Sequence, residues 1–356
     1  MERERVLSQR ELNRALLARQ LLLQRARLPV PRAIERIGAL QAQNPPSPYL
    51  ALWSRLEGFT REKLLRAVER RQVVKASLMR VTLHHVSARD YLAYGGLVRD
   101  ARLAEMRKRA ERTGVVEGVE RLAEQARAYA AEQPRSRPEL LEFLRLGKLR
   151  IEDLRPWIVW YLIVSECELV HSPESSVWRR HTQGGKFVPA ETWLGRGGAS
   201  GDEAAEHLVA RYLAAFGPAT RADLAQWTGL PLRSLDPGIA RLRVRRFRDE
   251  QGRELLDVPR APLPSADTPA PVRFLPMWDS VLLAHADRSR VLPDAYRRVV
   301  IRKNGDVQQT FLVDGFVAGM WKLVDGRVQL DPFDPLPVRV RRELEREATA
   351  LGAFHA

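Results

Sequence analysis

Apolar residues recur at helical spacing over most of the first 260 positions, and the pattern turns β-like beyond the proline-rich stretch Ala261–Pro271. Ser8 is placed to cap a helix running to about Gln24, and Pro31 opens another through Ala33, Ile34, Ile37 and Leu40. Short helices are predicted near Tyr49–Leu56 and Thr60–Arg71, then strands over Val73–Arg80 and Val81–Val86. Helices followed by a hairpin is the order of a winged helix. A long helix over Ala88–Arg112 follows, then a helical block over Val115–Val170 in which Arg137-Pro138-Glu139 opens one helix. Ser172–Leu194 reads as strand and turn, and the glycine-rich Gly195–Gly201 as a linker.

The next block repeats the winged-helix order. Asp202–Phe216 is amphipathic, Thr220 caps Arg221–Trp227, Gly229 and Pro231 make a turn, and Leu232–Leu242 is a second helix. A wing follows, Leu242–Phe247 out and Glu254–Val258 back. In the last segment, Val299–Ile301, Thr310–Val313 and Phe316–Leu323 are strands with turns at Asn304-Gly305, Asp314-Gly315 and Asp325-Gly326. A charged helix over Val338–Leu351 closes the chain. The fold class is α+β: tandem winged helices, then a small antiparallel β-domain. The expected division is 1–112, 113–198, 199–260 and 261–356.

Charge changes the picture from fold to partner. The 356 residues carry a net charge of +15, from 52 arginines and seven lysines against 44 acids. Such a field captures polyanions, nucleic acid first and an anionic membrane surface second. GC-rich coding also favours arginine, and the two causes are compatible. Arg241, Arg243, Arg245, Arg246 and Arg248 cluster on the second wing as phosphate-binding candidates, the odd-numbered three sharing a strand face. Cys167 is the only cysteine and sits in apolar surroundings, so neither a disulfide nor a cysteine zinc site is available. No signal peptide or membrane-length apolar run is present, which points to the cytoplasm and nucleoid.

The candidate chemistry lies at Gln41-Ala42-Gln43, ahead of Pro45. Residues two apart cannot share a helix face, so the two amides converge only where a helix ends, and the proline predicts that ending. The alternative is that they simply cap a helix end. Together with Arg80-Val81-Thr82-Leu83-His84-His85-Val86, Asp90-Tyr91, Ala222-Asp223-Leu224-Ala225, Trp227, Phe274-Leu275-Pro276, Asp279, Asp287-Arg288, Val313-Asp314-Gly315, Gly319 and Trp321, this triplet resembles the AlkZ/YcaQ-like DNA glycosylases over nearly the whole chain. The Gln at Gln43 sides with the AlkZ-like branch.

The resemblance implies a cradle for duplex DNA and a monofunctional glycosylase acting on cationic N7- or N3-alkylated purines, with crosslinks as a further substrate. Gln41 and Gln43 would jointly position the water and contact the lesion. No lysine lies in the motif, which favours water over a Schiff base. Arg80 and, of the two adjacent histidines, His84 are candidates for DNA contact. Asp279 and Asp287 could form a carboxylate pair, but are read first as loop-stabilising. No cofactor and no metal are expected, and a monomer is. The competing reading is a non-enzymatic winged-helix regulator, which usually dimerises on palindromic sites, although no dimer helix is evident.

Overall fold

The computed structural model describes residues 4–112, 119–146, 155–178 and 185–356. The expected helix start at Val115 lies outside them. Among the described residues, helices and three sheets alternate along the chain, and most strand pairs are antiparallel.

The largest sheet has six strands. In spatial order they are Leu40–Gln41, Leu83–Ser87, Val73–Ser77, Leu169–His171, Lys186–Pro189 and Arg135–Ser136. Residues from both sides of the long helix Ala88–Glu111 therefore build one sheet. Its register aligns Leu40, His85, Lys75, His171, Phe187 and Arg135 in one row. Gln41, His84 and Ala76 form the neighbouring row, which points to the opposite face.

Two elements depart from the expectation at the motif. The helix Val30–Ile37 stops early, because Gly38 turns the chain at φ 92° with the Phe216 ring packed against it. Gln41 therefore lies on a strand and not at a helix end. The predicted strands Val73–Arg80 and Val81–Val86 are shortened to Val73–Ser77 and Leu83–Ser87 by a tight turn at Met79–Val81, in which Arg80 and Val81 both adopt positive φ.

Gly195–Gly201 is no loose linker. The Ala199 N–H donates to the Leu92 carbonyl at 2.9 Å, and Ala199 accepts from the Leu97 N–H at 3.0 Å. This close seat needs a bare backbone: a Cβ on Gly96 would stand 2.3 Å from the Gly198 carbonyl oxygen.

The hairpin Arg245–Asp249 and Glu254–Asp257, expected as the second wing, gains a parallel third strand from Val6–Leu7. Capping boxes at Ser8/Glu11 and Thr220/Asp223 start the helices Gln9–Arg19 and Arg221–Thr228. The expected strand at Val299–Ile301 is mostly a short helix, Arg297–Val300, leaving Ile301 in a single bridge to Val307. The last sheet joins Arg273–Leu275, Thr310–Val313, Phe316–Val324 and Arg327–Pro332, and the closing helix runs Val338–His355.

The helix Gln9–Arg19 ties the far segments together through buried polar side chains. Arg19 clasps Asp257 at 2.6 and 3.0 Å and also reaches the Pro262 carbonyl. Arg14 donates to the Thr268 and Asp314 carbonyls, and Asn13 to those of Arg290 and Gly315. The proline-rich stretch is thus strapped along this helix. One continuous apolar core runs from Leu16 to Val317.

Candidate active site

Gln41 and Gln43 each contact the turn end of the first hairpin, Gln41 at Arg80 and Gln43 at Leu83. Gln41 is 7% exposed, and its Oε1 accepts from Arg80 Nη2 at 3.1 Å. Gln43 is exposed, and its Oε1 faces the Leu83 N–H at a long 3.4 Å. Guanidinium and backbone N–H groups can only donate, so both contacts fix which amide atom is oxygen. Between the glutamines, the Ala42 N–H donates to the Leu83 carbonyl at 2.7 Å, which locks the motif strand to the hairpin.

Arg80 is held from behind. Its Nη1 donates to the Trp227 carbonyl, and Gly229, at φ 73°, packs so closely that an added Cβ would come within 3.0 Å of the Arg80 backbone. Trp227 itself is locked in an aromatic group with Tyr212 and Phe216. Burial, with Arg288 adding like charge, pulls the Arg80 guanidinium down to about 10, so it remains a cation at neutral pH.

A small cavity opens beside Gln41, lined also by Gln20, Ser47, Met277, Trp278 and Asp279. Asp279 is its one carboxylate, and Arg55 engages both its oxygens at 2.8 and 2.9 Å with both side chains buried. That pairing agrees with the loop-stabilising role read for Asp279. Asp287 likewise accepts from Arg253 and Ser289.

His84, expected as a DNA contact, lies in the core instead. It is fully buried, its Nδ1 lies 2.9 Å from the Thr82 carbonyl, and its Nε2 has no partner. Burial and then the nearby Arg80 charge push it down to about 3, so it is a neutral core histidine. The sheet alternation that carries Gln41 to this face carries His84 beneath it, and the neighbouring His85 is buried on the other.

The second wing also needs correction. Arg241 ends the helix Leu232–Arg241 and Arg243 precedes the strand, so Arg241, Arg243 and Arg245 share no strand face. Four of the five candidates already meet carboxylates: Arg241 with Glu206, Arg245 with Asp257, Arg246 with Glu254 and Arg248 with Glu4. Arg243 is exposed. The direct Arg80–Gln41 bond was not legible from spacing, because 39 residues separate the partners.

Burial pushes the Cys167 thiol up to about 12, and its sulfur donates to the Ala123 carbonyl. Among the described residues, no group of His, Cys, Asp and Glu could hold a metal, and no helix is long and apolar enough to cross a membrane.

Three likenesses bear on this site. The family model for AlkZ-like DNA glycosylases matches residues 34–354. An interstrand DNA cross-link repair glycosylase of Streptomyces sahachiroi is 30% identical over 168 residues, which is 42% of this chain and 44% of that relative. The chain therefore matches less than half the length of this curated relative. The solved structure of the Streptomyces sahachiroi DNA glycosylase AlkZ superimposes with a TM-score of 0.82 at 23% identity, covering 98% of this chain and 97% of that one. With the family model spanning nearly the whole sequence, the chain belongs to the AlkZ-like DNA glycosylase family.

Proposed function

We propose that this chain is a monofunctional DNA glycosylase that hydrolyses the N-glycosidic bond of cationic N7- or N3-alkylated purines, including purines tied in interstrand crosslinks. It works as a monomer, on duplex DNA held against tandem winged helices. The observation that carries this reading is the neutral amide of Gln41 in the wall of a cavity whose one carboxylate among the described residues is taken up by Arg55, with Gln43 two residues on at the same end of the hairpin.

A site without a free acid cannot protonate a leaving group. A purine alkylated at N7 or N3 needs no such help: it is already a cation and departs with the glycosidic electron pair as a neutral base. Charge then develops on the sugar as an oxocarbenium ion. Water adds to C1′ and releases its proton to solvent. The protein's share is to fix the water and to set dipoles against the developing charge, which preorganised amides do without titrating.

The test is release of N7-methylguanine from a defined duplex. Wild type should release it, and the Gln41→Ala/Gln43→Ala double variant should be slower by about 100-fold or more while binding the duplex as well. Equal release by both proteins would refute the assignment.

A further inference from the structure

We infer that Arg80 is a positioning residue that divides the labour between the two glutamines: it occupies the Gln41 carbonyl, so that Gln41 offers its NH₂ to the lesion while Gln43 offers its carbonyl to the water. This rests on the glycosylase reading above.

The geometry supports each half. Arg80 is pinned on two sides, by the Trp227 carbonyl and by the close backbone of Gly229, and its Nη2 is thereby aimed at Gln41 Oε1. Its backbone sits at φ 53°, next to Val81 at φ 58°. Two consecutive non-glycine residues in the left-handed region, one of them β-branched, are costly and persist only where the surroundings enforce them. The turn thus holds the guanidinium in place at the expense of ordinary backbone preference.

A cation donating to an amide oxygen draws electrons from the nitrogen. Gln41 becomes a better donor and a poorer acceptor. The Gln41 carbonyl carries the closer, charge-assisted bond in a nearly buried side chain, so its NH₂ is the end better placed for an acceptor on the lesion base or its sugar. Gln43 is in the reverse situation. It is exposed, its carbonyl is held only by the long contact to the Leu83 N–H, and a second lone pair stays available to accept from a water O–H.

This role differs from the direct DNA contact expected of Arg80. An arginine that grips phosphate contributes to duplex affinity and to its salt dependence. One that orients Gln41 contributes to the chemical step.

Two measurements decide it. The first needs no activity: a thermal double-mutant cycle with Arg80→Met and Gln41→Met. The double variant should lose no more Tm than the worse single variant, whereas additive losses would overturn the contact. If Arg80→Met does not fold, Arg80→Lys takes its place in the cycle. The second is single-turnover release of N7-methylguanine together with duplex binding. Arg80→Lys should lower the rate by about 100-fold, as expected when a reacting group is displaced by about 1 Å, with the Kd changed less than about threefold. Weakened binding with an unchanged rate would overturn the proposal in favour of a phosphate ligand. No release by wild type would sink the glycosylase reading alone, because the thermal cycle still decides the Arg80–Gln41 contact.

Discussion

Single side chains around the site differ in what they can be asked to lose. Arg55 and Asp279 form a buried, doubly bonded pair on the wall of the cavity. Asp279→Asn would leave a guanidinium in the core with a neutral partner. The expected cost is about 3–5 kcal/mol, seen as a large drop in Tm, while replacing both partners with apolar residues should recover much of it. A small effect of Asp279→Asn would mean that the pair is hydrated. At this scale the sequence was half legible. Both glutamines were singled out from their spacing and the proline after them, but the helix end expected there is a strand, and it is the hairpin that gathers them. His84 was misjudged because one sequence shows a histidine in a strand but not which sheet face is covered. The Arg80–Gln41 bond was hidden because it depends on a left-handed turn that no residue type there announces.

Among elements, the six-stranded sheet buries a lysine in a row with two histidines. Lys75 is 1% exposed and donates to the Ser175 carbonyl, and burial pulls its ammonium down to about 8. The unfolded chain holds that proton up to about pH 10.5, so between pH 8 and 10.5 the unfolded state binds more protons and stability rises with pH. Denaturant melts across that window should show the rise in wild type and lose it in Lys75→Met. The hairpin over residues 245–257, expected as a wing, yields a different expectation. Arg246→Ala removes an arginine already paired with Glu254, whereas Arg243→Ala removes an exposed one. Only the latter should flatten the salt dependence of duplex binding, by about 0.9 in the log–log slope for one phosphate contact. Equal slopes in both variants would take the wing out of the DNA interface. Helices were the readable elements, since Ala88–Glu111 and Arg221–Thr228 fall almost where periodicity and caps put them. The shared sheet was not readable, because three of its six strands have only two or three residues and leave no periodic trace.

For the whole molecule, protonation of the core sets an acid limit. His84 and His285 are pushed down to about 3, and His85 and His171 well below their ordinary range, all by burial. Each folded value lies below the unfolded one near 6.5. Their contribution is therefore complete above about pH 6.5 and is lost as the pH falls toward 3, at up to about 1.4 kcal/mol per pH unit for each histidine. Thermal melts from pH 7 to pH 4 should show Tm falling progressively, and a flat profile would contradict the burial of these rings.

The helix Gln9–Arg19 adds an order of events. Arg19 waits 238 residues for Asp257, and Arg14 waits 300 for the Asp314 carbonyl. During synthesis this helix therefore leaves the ribosome with guanidinium groups it cannot yet bury. Its seat is completed only when the last sheet has been made. Shortened chains that stop before Asp257 should consequently remain dependent on chaperones or be degraded, rather than accumulate as folded halves.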